Sequence, residues 1–397
     1  MKRMKRSVPG FVSLLIVLTL LLSGCAGGKP SSSPSDAATP SDVVDYNQYL
    51  NSPGYYACTS RGWYLCADDR MDYLDGGLES PVIPLCAKAD CSHSDPSTCS
   101  AYLPQGSYVI YGWNDQLYCI ASSLEDAAVE LVQIGLDGQD RKTAATLVEE
   151  ADSCSFMAQS GGGYLALCYS NYTVDGDVTT LYLFSLEEPS ADPMTLFSNE
   201  EQVQAAQGET SQIPRPFVIH VGEDWVFYNV ESGPTGERSN SLYGYEIATG
   251  ETQLLVEDTF HVGGDLSPVG DTLYWYDTDG ATYGRLNRID LKSGETALVK
   301  DLPAAEKMWG TMDEQYLYLC TSDDAAQAEL VVYGFEGNEV QRIACADLGT
   351  PLAYAFSDSN KVFFHSSVLG EHAPICWLDK DALASGKAEF HLIPEAS

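Results

Sequence analysis

Basic residues are scarce in this 397-residue chain: 21 Lys and Arg stand against 57 Asp and Glu, for a net charge of −36. A surface of that sign repels phosphate backbones and speaks against nucleic acid as a partner. It also repels anionic lipid and teichoic acid unless cations intervene. Catalytic signatures are missing as well. There is no Gly-x-Ser-x-Gly elbow, so a propeller-capped serine hydrolase lacks its nucleophile. There is no His-Glu-x-x-His for a zinc peptidase, no glycine loop to cradle phosphate, and no sialidase Asp-box. Six histidines are scattered, and no long amphipathic helical pattern competes with the strands.

What is present begins with a targeting segment. Met1 to Arg6 carries four basic residues, and Phe11 to Leu22 is apolar but short for a permanent membrane span. The run ends in Leu22-Ser23-Gly24-Cys25, which resembles the bacterial lipobox; the resemblance implies cleavage after residue 24 and acylation of Cys25. Removing residues 1–24 takes four cations and no acid, which moves the net charge from −36 to −40. Residues 25–42 are rich in Gly, Ser, Pro and Ala and read as a flexible tether. The expected location is the extracytoplasmic face of the cell membrane, held there by lipid.

Residues 43–397 are expected to form one domain. Its pattern is clearest at Thr272-Leu273-Tyr274-Trp275-Tyr276, where alternation of period two and a wealth of aromatic residues predict a strand. Lys292-Ser293-Gly294-Glu295 then closes a hairpin, because glycine takes positive φ without a Cβ clash. Gly138, Gly250 and Gly337 occupy the same place in other repeats. Similar cores start at Trp63, Leu117, Tyr164, Val226, Leu273, Leu317 and Val362, at intervals of 54, 47, 62, 47, 44 and 45 residues. Four-stranded propeller blades repeat at about 40–50 residues. The fold class is therefore all-β, a seven-bladed β-propeller of four-stranded antiparallel blades. Radial stacking covers both faces of each sheet, whereas a two-sheet sandwich would not explain the period. The first repeat is the least regular. Val43 to Tyr46 is a candidate closing strand and Asp42 to Leu50 a candidate short helix.

The long first interval contains an insertion over residues 86–104, in which Cys86, Cys91, His93 and Cys99 are spaced C-x4-C-x-H-x5-C. Three thiols and one imidazole complete a tetrahedral Zn²⁺ site with no open position. A disulfide among the three cysteines, or plain thiols, is the alternative. Twelve cysteines less Cys25 leave eleven, so at least one stays outside any intrachain disulfide. Cys58 and Cys66 fall on paired strands and would bridge if directly opposite. Cys119, Cys168 and Cys320 recur near second strands as small core residues.

This segment, L-C-x4-C-x-H followed by C-x-A after a Tyr-rich hairpin, resembles uncharacterised clostridial lipoproteins. Those are similar to the domain-of-unknown-function propellers likened to the YWTD propellers of lipoprotein receptors. The resemblance implies a propeller over most of residues 50–397 and brings no known reaction. No strict Tyr-Trp-Thr-Asp tetrad is present, so a receptor-like mode of binding is not implied.

The function expected is non-catalytic: a monomeric propeller binding a protein or glycan at the envelope through loops on one face, or scaffolding. Trp113, Trp309 and Tyr354 are candidate platforms for sugar rings. Two alternatives stand beside it. One is a propeller hydrolase or lyase with carboxylates around the channel, and the other is an extracellular zinc-binding or redox module. His220 reads as a sheet residue rather than a base. Asp277 to Gly280 and Asp175 to Asp177 read as turns rather than Ca²⁺ loops.

Overall fold

A computed structural model describes residues 55–67, 69–103, 109–123, 128–149, 154–173, 176–206, 213–233, 238–257, 265–278, 284–302, 309–367 and 373–395. These residues form seven four-stranded antiparallel sheets, each of consecutive strands. Blade 1 comprises β1 (Tyr56–Thr59), β2 (Gly62–Ala67), β3 (Arg70–Asp75) and β4 (Ile83–Pro84); blade 2 comprises β5 (Val109–Trp113), β6 (Gln116–Ser123), β7 (Ala128–Ile134) and β8 (Lys142–Val148). Blade 3 holds β9 (Cys154–Gly161) to β12 (Met194–Ser198), with β10 (Tyr164–Thr173) and β11 (Gly176–Ser185) between them. Blade 4 holds β13 (Arg215–Val221), β14 (Trp225–Ser232), β15 (Ser239–Glu246) and β16 (Glu251–Val256). Blade 5 is β17 (Leu266–Val269), β18 (Thr272–Thr278), β19 (Gly284–Asp290) and β20 (Thr296–Leu302). Blade 6 is β21 (Trp309–Met312), β22 (Tyr316–Cys320), β23 (Glu329–Gly334) and β24 (Glu339–Ala344). Blade 7 is β25 (Leu352–Ser357), β26 (Lys361–Ser366), β27 (Cys376–Asp379) and β28 (His391–Leu392).

The seven expected second-strand cores fall on β2, β6, β10, β14, β18, β22 and β26. The four hairpin glycines have φ of +72°, +71°, +81° and +81° at Gly294, Gly250, Gly138 and Gly337. Two short helices, α1 (Glu200–Ala206) and α2 (Lys380–Ala384), were not expected. α1 lies in the polar insertion of the long third interval, and Val203 is its one buried residue. The candidate closing strand at 43–46 and the candidate helix at 42–50 lie outside the described residues.

Alternation gives every sheet two apolar faces, and seven clusters of buried residues fill the seven junctions. The ring closes where Tyr56, Trp63 and Leu74 of blade 1 meet Phe356 and Phe363 of blade 7. The Trp63 and Phe363 ring centroids stand 4.7 Å apart, and those of Tyr56 and Phe356 4.8 Å. Burying aromatic rings this large contributes roughly 2–3 kcal/mol each. Among the described residues, closure thus rests on side chains rather than on an exchanged strand.

Candidate functional site

The inserted segment starts and ends in the core between blades 1 and 2, where Leu85 and Leu103 are buried. The Leu85 N–H donates to the Met71 carbonyl at 2.9 Å, and the Cys86 N–H turns back to Pro84 O at 2.8 Å. At the far end, Met71 N–H donates to Ala101 O (2.8 Å) and Leu103 N–H to Asp69 O (2.7 Å). The segment therefore leaves the outer edge of β3 beside β4 and returns to that edge through the Arg70–Tyr102 bridge.

Between these anchors the backbone folds on itself. The Asp95 carboxylate accepts from the Ser97 N–H (2.9 Å) and hydroxyl (2.7 Å), and the Cys99 N–H donates to Asp95 O (3.0 Å). That single turn points Cys99 back toward His93, which sits at φ +54° with its carbonyl accepting from the Tyr102 hydroxyl. The Lys88 ammonium donates to the Thr98 carbonyl and ties the two arms together. On the outside, Ser100 O accepts from the Arg141 guanidinium at 2.5 Å. A Cβ on Gly138 would stand 2.6 Å from Leu85 O, so only glycine lets the blade 2 turn press this close.

The outcome is convergence. Ligand atoms of Cys86, Cys91, His93 and Cys99 all lie within 4.8 Å of one another, with Cys99 Sγ 3.5 Å from His93 Nδ1. Tetrahedral Zn²⁺ with Zn–S of about 2.3 Å sets its sulfurs about 3.8 Å apart, so a small contraction seats the ion. Cys99 is buried and the other three are half-buried. Burial pushes the Cys86 thiol up, but hydrogen bonds from the Ser100 hydroxyl, the Lys88 and Ser100 backbone and Cys91 outweigh it and bring it down to about 6. Burial raises Cys99, and the neighbouring thiols add to the rise. The set thus offers one thiolate-leaning sulfur and a closed shell of protein donors. The three sulfurs are not joined in a disulfide.

Cys58 and Cys66 do not bridge. Cys58 faces Trp63 and Cys66 faces Met71 in the ladders, and the two side chains lie on opposite faces of blade 1, one toward blade 7 and one toward blade 2. Cys119, Cys168 and Cys320 are core residues as expected. Burial beside Phe227 pushes His220 down to about 4, so it is neutral in its sheet. Trp113 is half-buried and packs against the blade 2–blade 3 core beside Gly163, where a Cβ would meet it at 2.7 Å. Tyr354 is half-buried and stacks on Tyr318. Trp309 opens β21, and its side chain lies outside the described residues, as do Cys25, Asp175, Asp279 and Gly280. Asp177 is engaged by Arg215 at 2.9 Å.

The sequence reading missed a buried polar network between blades 6 and 7. Lys380 Nζ, 3% exposed, lies 2.9 Å from Asp313 Oδ2 and 2.8 Å from Glu314 Oε1. Asp313 also accepts from the Tyr318 hydroxyl (2.7 Å) and from the N–H groups of Gln315 and Tyr316. Glu314 Oε2 is buried without a partner. Burial and the Asp313 charge push Glu314 up to about 7, against the pull of Lys380. Burial also raises Asp265 to about 6, although it accepts from Thr311 and the Met312 backbone. Lysine and acid here are 66 or more residues apart, and no local spacing announces them.

No family model matches the chain, and no curated protein matches it. Solved structures do. An oligogalacturonate lyase in complex with manganese is similar at 12% identity, TM-score 0.50, over 84% of this chain and 90% of that one. A prolyl endopeptidase is similar at 13% identity, TM-score 0.53, over 89% of this chain; the chain spans about half of that protein (52%). A chain of a nidogen/laminin complex overlaps only distantly, at TM-score 0.36 and 11% identity. At these identities the likeness is one of fold.

Proposed function

We propose that this chain is a non-catalytic binding propeller, held on the extracytoplasmic face of the membrane by acylated Cys25. Its first blade is locked by Zn²⁺ on Cys86, Cys91, His93 and Cys99. The observation that carries the metal assignment is the convergence of four donors of the right chemistry within 4.8 Å. When bound, zinc supplies charge that holds three sulfurs together and no open position for chemistry. The chain's own residues do the rest: Ser100 and Lys88 donate toward Cys86, and Tyr102 fixes the His93 backbone.

Binding is favoured over catalysis because, among the described residues, the acids with raised affinity for protons are tied into the frame. Asp265 is held by blade 6 and Glu314 by Lys380, and the unpartnered oxygen of Glu314 is sealed from water. An acid/base residue must reach its substrate. The lyase and peptidase neighbours share the fold alone, so a hydrolase or lyase reading gains nothing from them. Elemental analysis of purified protein should find one zinc per chain, lost in Cys91→Ala. Zinc and iron both absent after anaerobic purification would end the metal assignment. Metabolic labelling with a fatty acid should mark the wild type and not Cys25→Ala.

A further inference from the structure

A cavity of about 380 Å³ opens among blades 5, 6 and 7, where first strands begin and second strands end. Its walls include Tyr276, Thr311, Tyr354, Phe364, His365 and Ser367. That volume is at the small end for ligand sites, about 300–1,000 Å³. A Cβ on Gly310 would stand 2.6 Å from both the Tyr276 ring and Leu319 Cδ2, so glycine lets that ring cross from blade 5 to lie against β21. The floor is rigid, because Tyr318 is clamped by Asp313 and stacks on Tyr354, and the Tyr354 hydroxyl donates to Ser357 Oγ at 3.1 Å.

The chemistry of this lining is selective. Among the described residues that line it there is no lysine, arginine, aspartate or glutamate. An anionic ligand would find no counter-charge and would meet the field of a chain carrying −36. An organic cation would meet the same aromatic faces, but among the described lining residues no carboxylate balances its charge. What the walls offer is aromatic rings, the hydroxyls of Thr311 and Ser367, and one imidazole. His365 Nδ1 lies 2.9 Å from the Ser366 carbonyl, which can only accept, so Nδ1 donates there. Rings for C–H faces, with mixed donors and acceptors at the rim, suit an uncharged polyhydroxylated ring.

We infer that this cavity between blades 5 and 7 binds a neutral sugar of one or two rings, with Tyr354 as stacking platform and Thr311, Ser367 and His365 as polar contacts. The inference rests on the binding-propeller reading and gives it a ligand class. The test is calorimetric titration of the full chain in detergent with N-acetylglucosamine, methyl β-galactoside and cellobiose. Galacturonate and choline serve as charged arms. At least one neutral sugar should bind, about tenfold or more weakly in Tyr354→Ala and in the cavity-filling Ala353→Trp, and with wild-type affinity in Tyr354→Phe. Thermal melting of each variant confirms folding. Preference for galacturonate or choline overturns the inference. Neutral-sugar binding indifferent to both substitutions also overturns it, while leaving the binding reading intact. If no arm binds, the inference falls, and the binding reading falls with it only if the folded chain also captures nothing from an array of envelope glycans and proteins.

Discussion

Blades 1 and 7 share one defect and repair it differently. Each ends in a fourth strand of two residues, β4 in blade 1 and β28 in blade 7. Blade 1 fills the vacant edge of β3 with Ala101 to Leu103 and draws the intervening chain into a convergence of three cysteines and a histidine. Blade 7 uses α2, whose Lys380 reaches Asp313 and Glu314 of blade 6, while Gln341 clamps the Ala388 backbone through paired hydrogen bonds of 2.7 and 2.9 Å. In both, a stub outer strand is tied to one neighbour, blade 2 in the first case and blade 6 in the second. The difference lies in the chemistry of the tie. A short, contiguous loop can gather donors for an ion, whereas a distant lysine must bring its own charge into a buried place and be matched there.

The largest effect that would sharpen this contrast is removal of the proposed metal tie. Cys99→Ala in zinc-loaded protein should cost about 4–5 kcal/mol of unfolding free energy by urea titration, since loss of a structural metal is among the few severe lesions. If it costs under about 1 kcal/mol, blade 1 does not depend on its clasp and the comparison breaks. Lys380→Met should cost about 3–4 kcal/mol, because the buried Asp313 and half-buried Glu314 carboxylates are left without their cation. Adding Glu314→Gln should return part of that loss. A double variant less stable than the single would show that Glu314 contributes by something other than its charge.

A smaller and more diagnostic effect is pH dependence. Glu314 is held at about 7 in the folded protein against an ordinary 4.5, so the folded state binds more protons than the unfolded in that window. Stability from this group is therefore complete below about pH 4.5 and is lost as pH rises to about 7. The difference in unfolding free energy between wild type and Glu314→Gln should change across that interval and be flat above it. A difference that is constant from pH 4 to 8 would mean that Glu314 titrates normally. Smallest of all, Ile83→Lys in β4 and Leu392→Lys in β28 should each change stability by no more than about 0.5 kcal/mol, since both side chains are exposed, at 48% and 67%. A larger loss at either would show that the stub itself carries load.

The same contrast explains what could be read from the sequence. Blade boundaries were legible because alternation acts over a few residues and recurs in all seven sheets, with a turn glycine in the same hairpin of four of them. The Cys/His cluster was legible because its four residues lie within one short segment. Lys380 was not, since its partners belong to another blade, and neither was the cavity, whose walls come from three. Cys58 and Cys66 misled because adjacency in a hairpin does not fix the face on which a side chain stands.

Ring closure through the rings of Tyr56, Trp63, Phe356 and Phe363 has one more consequence. Each blade owns all four of its strands, so where the polypeptide starts is a matter of covalent linkage and not of architecture. Circularly permuted chains, with old ends spliced and new ends opened between blades, should adopt the same seven-fold arrangement, and the seam between blades 1 and 7 would become a junction like any other.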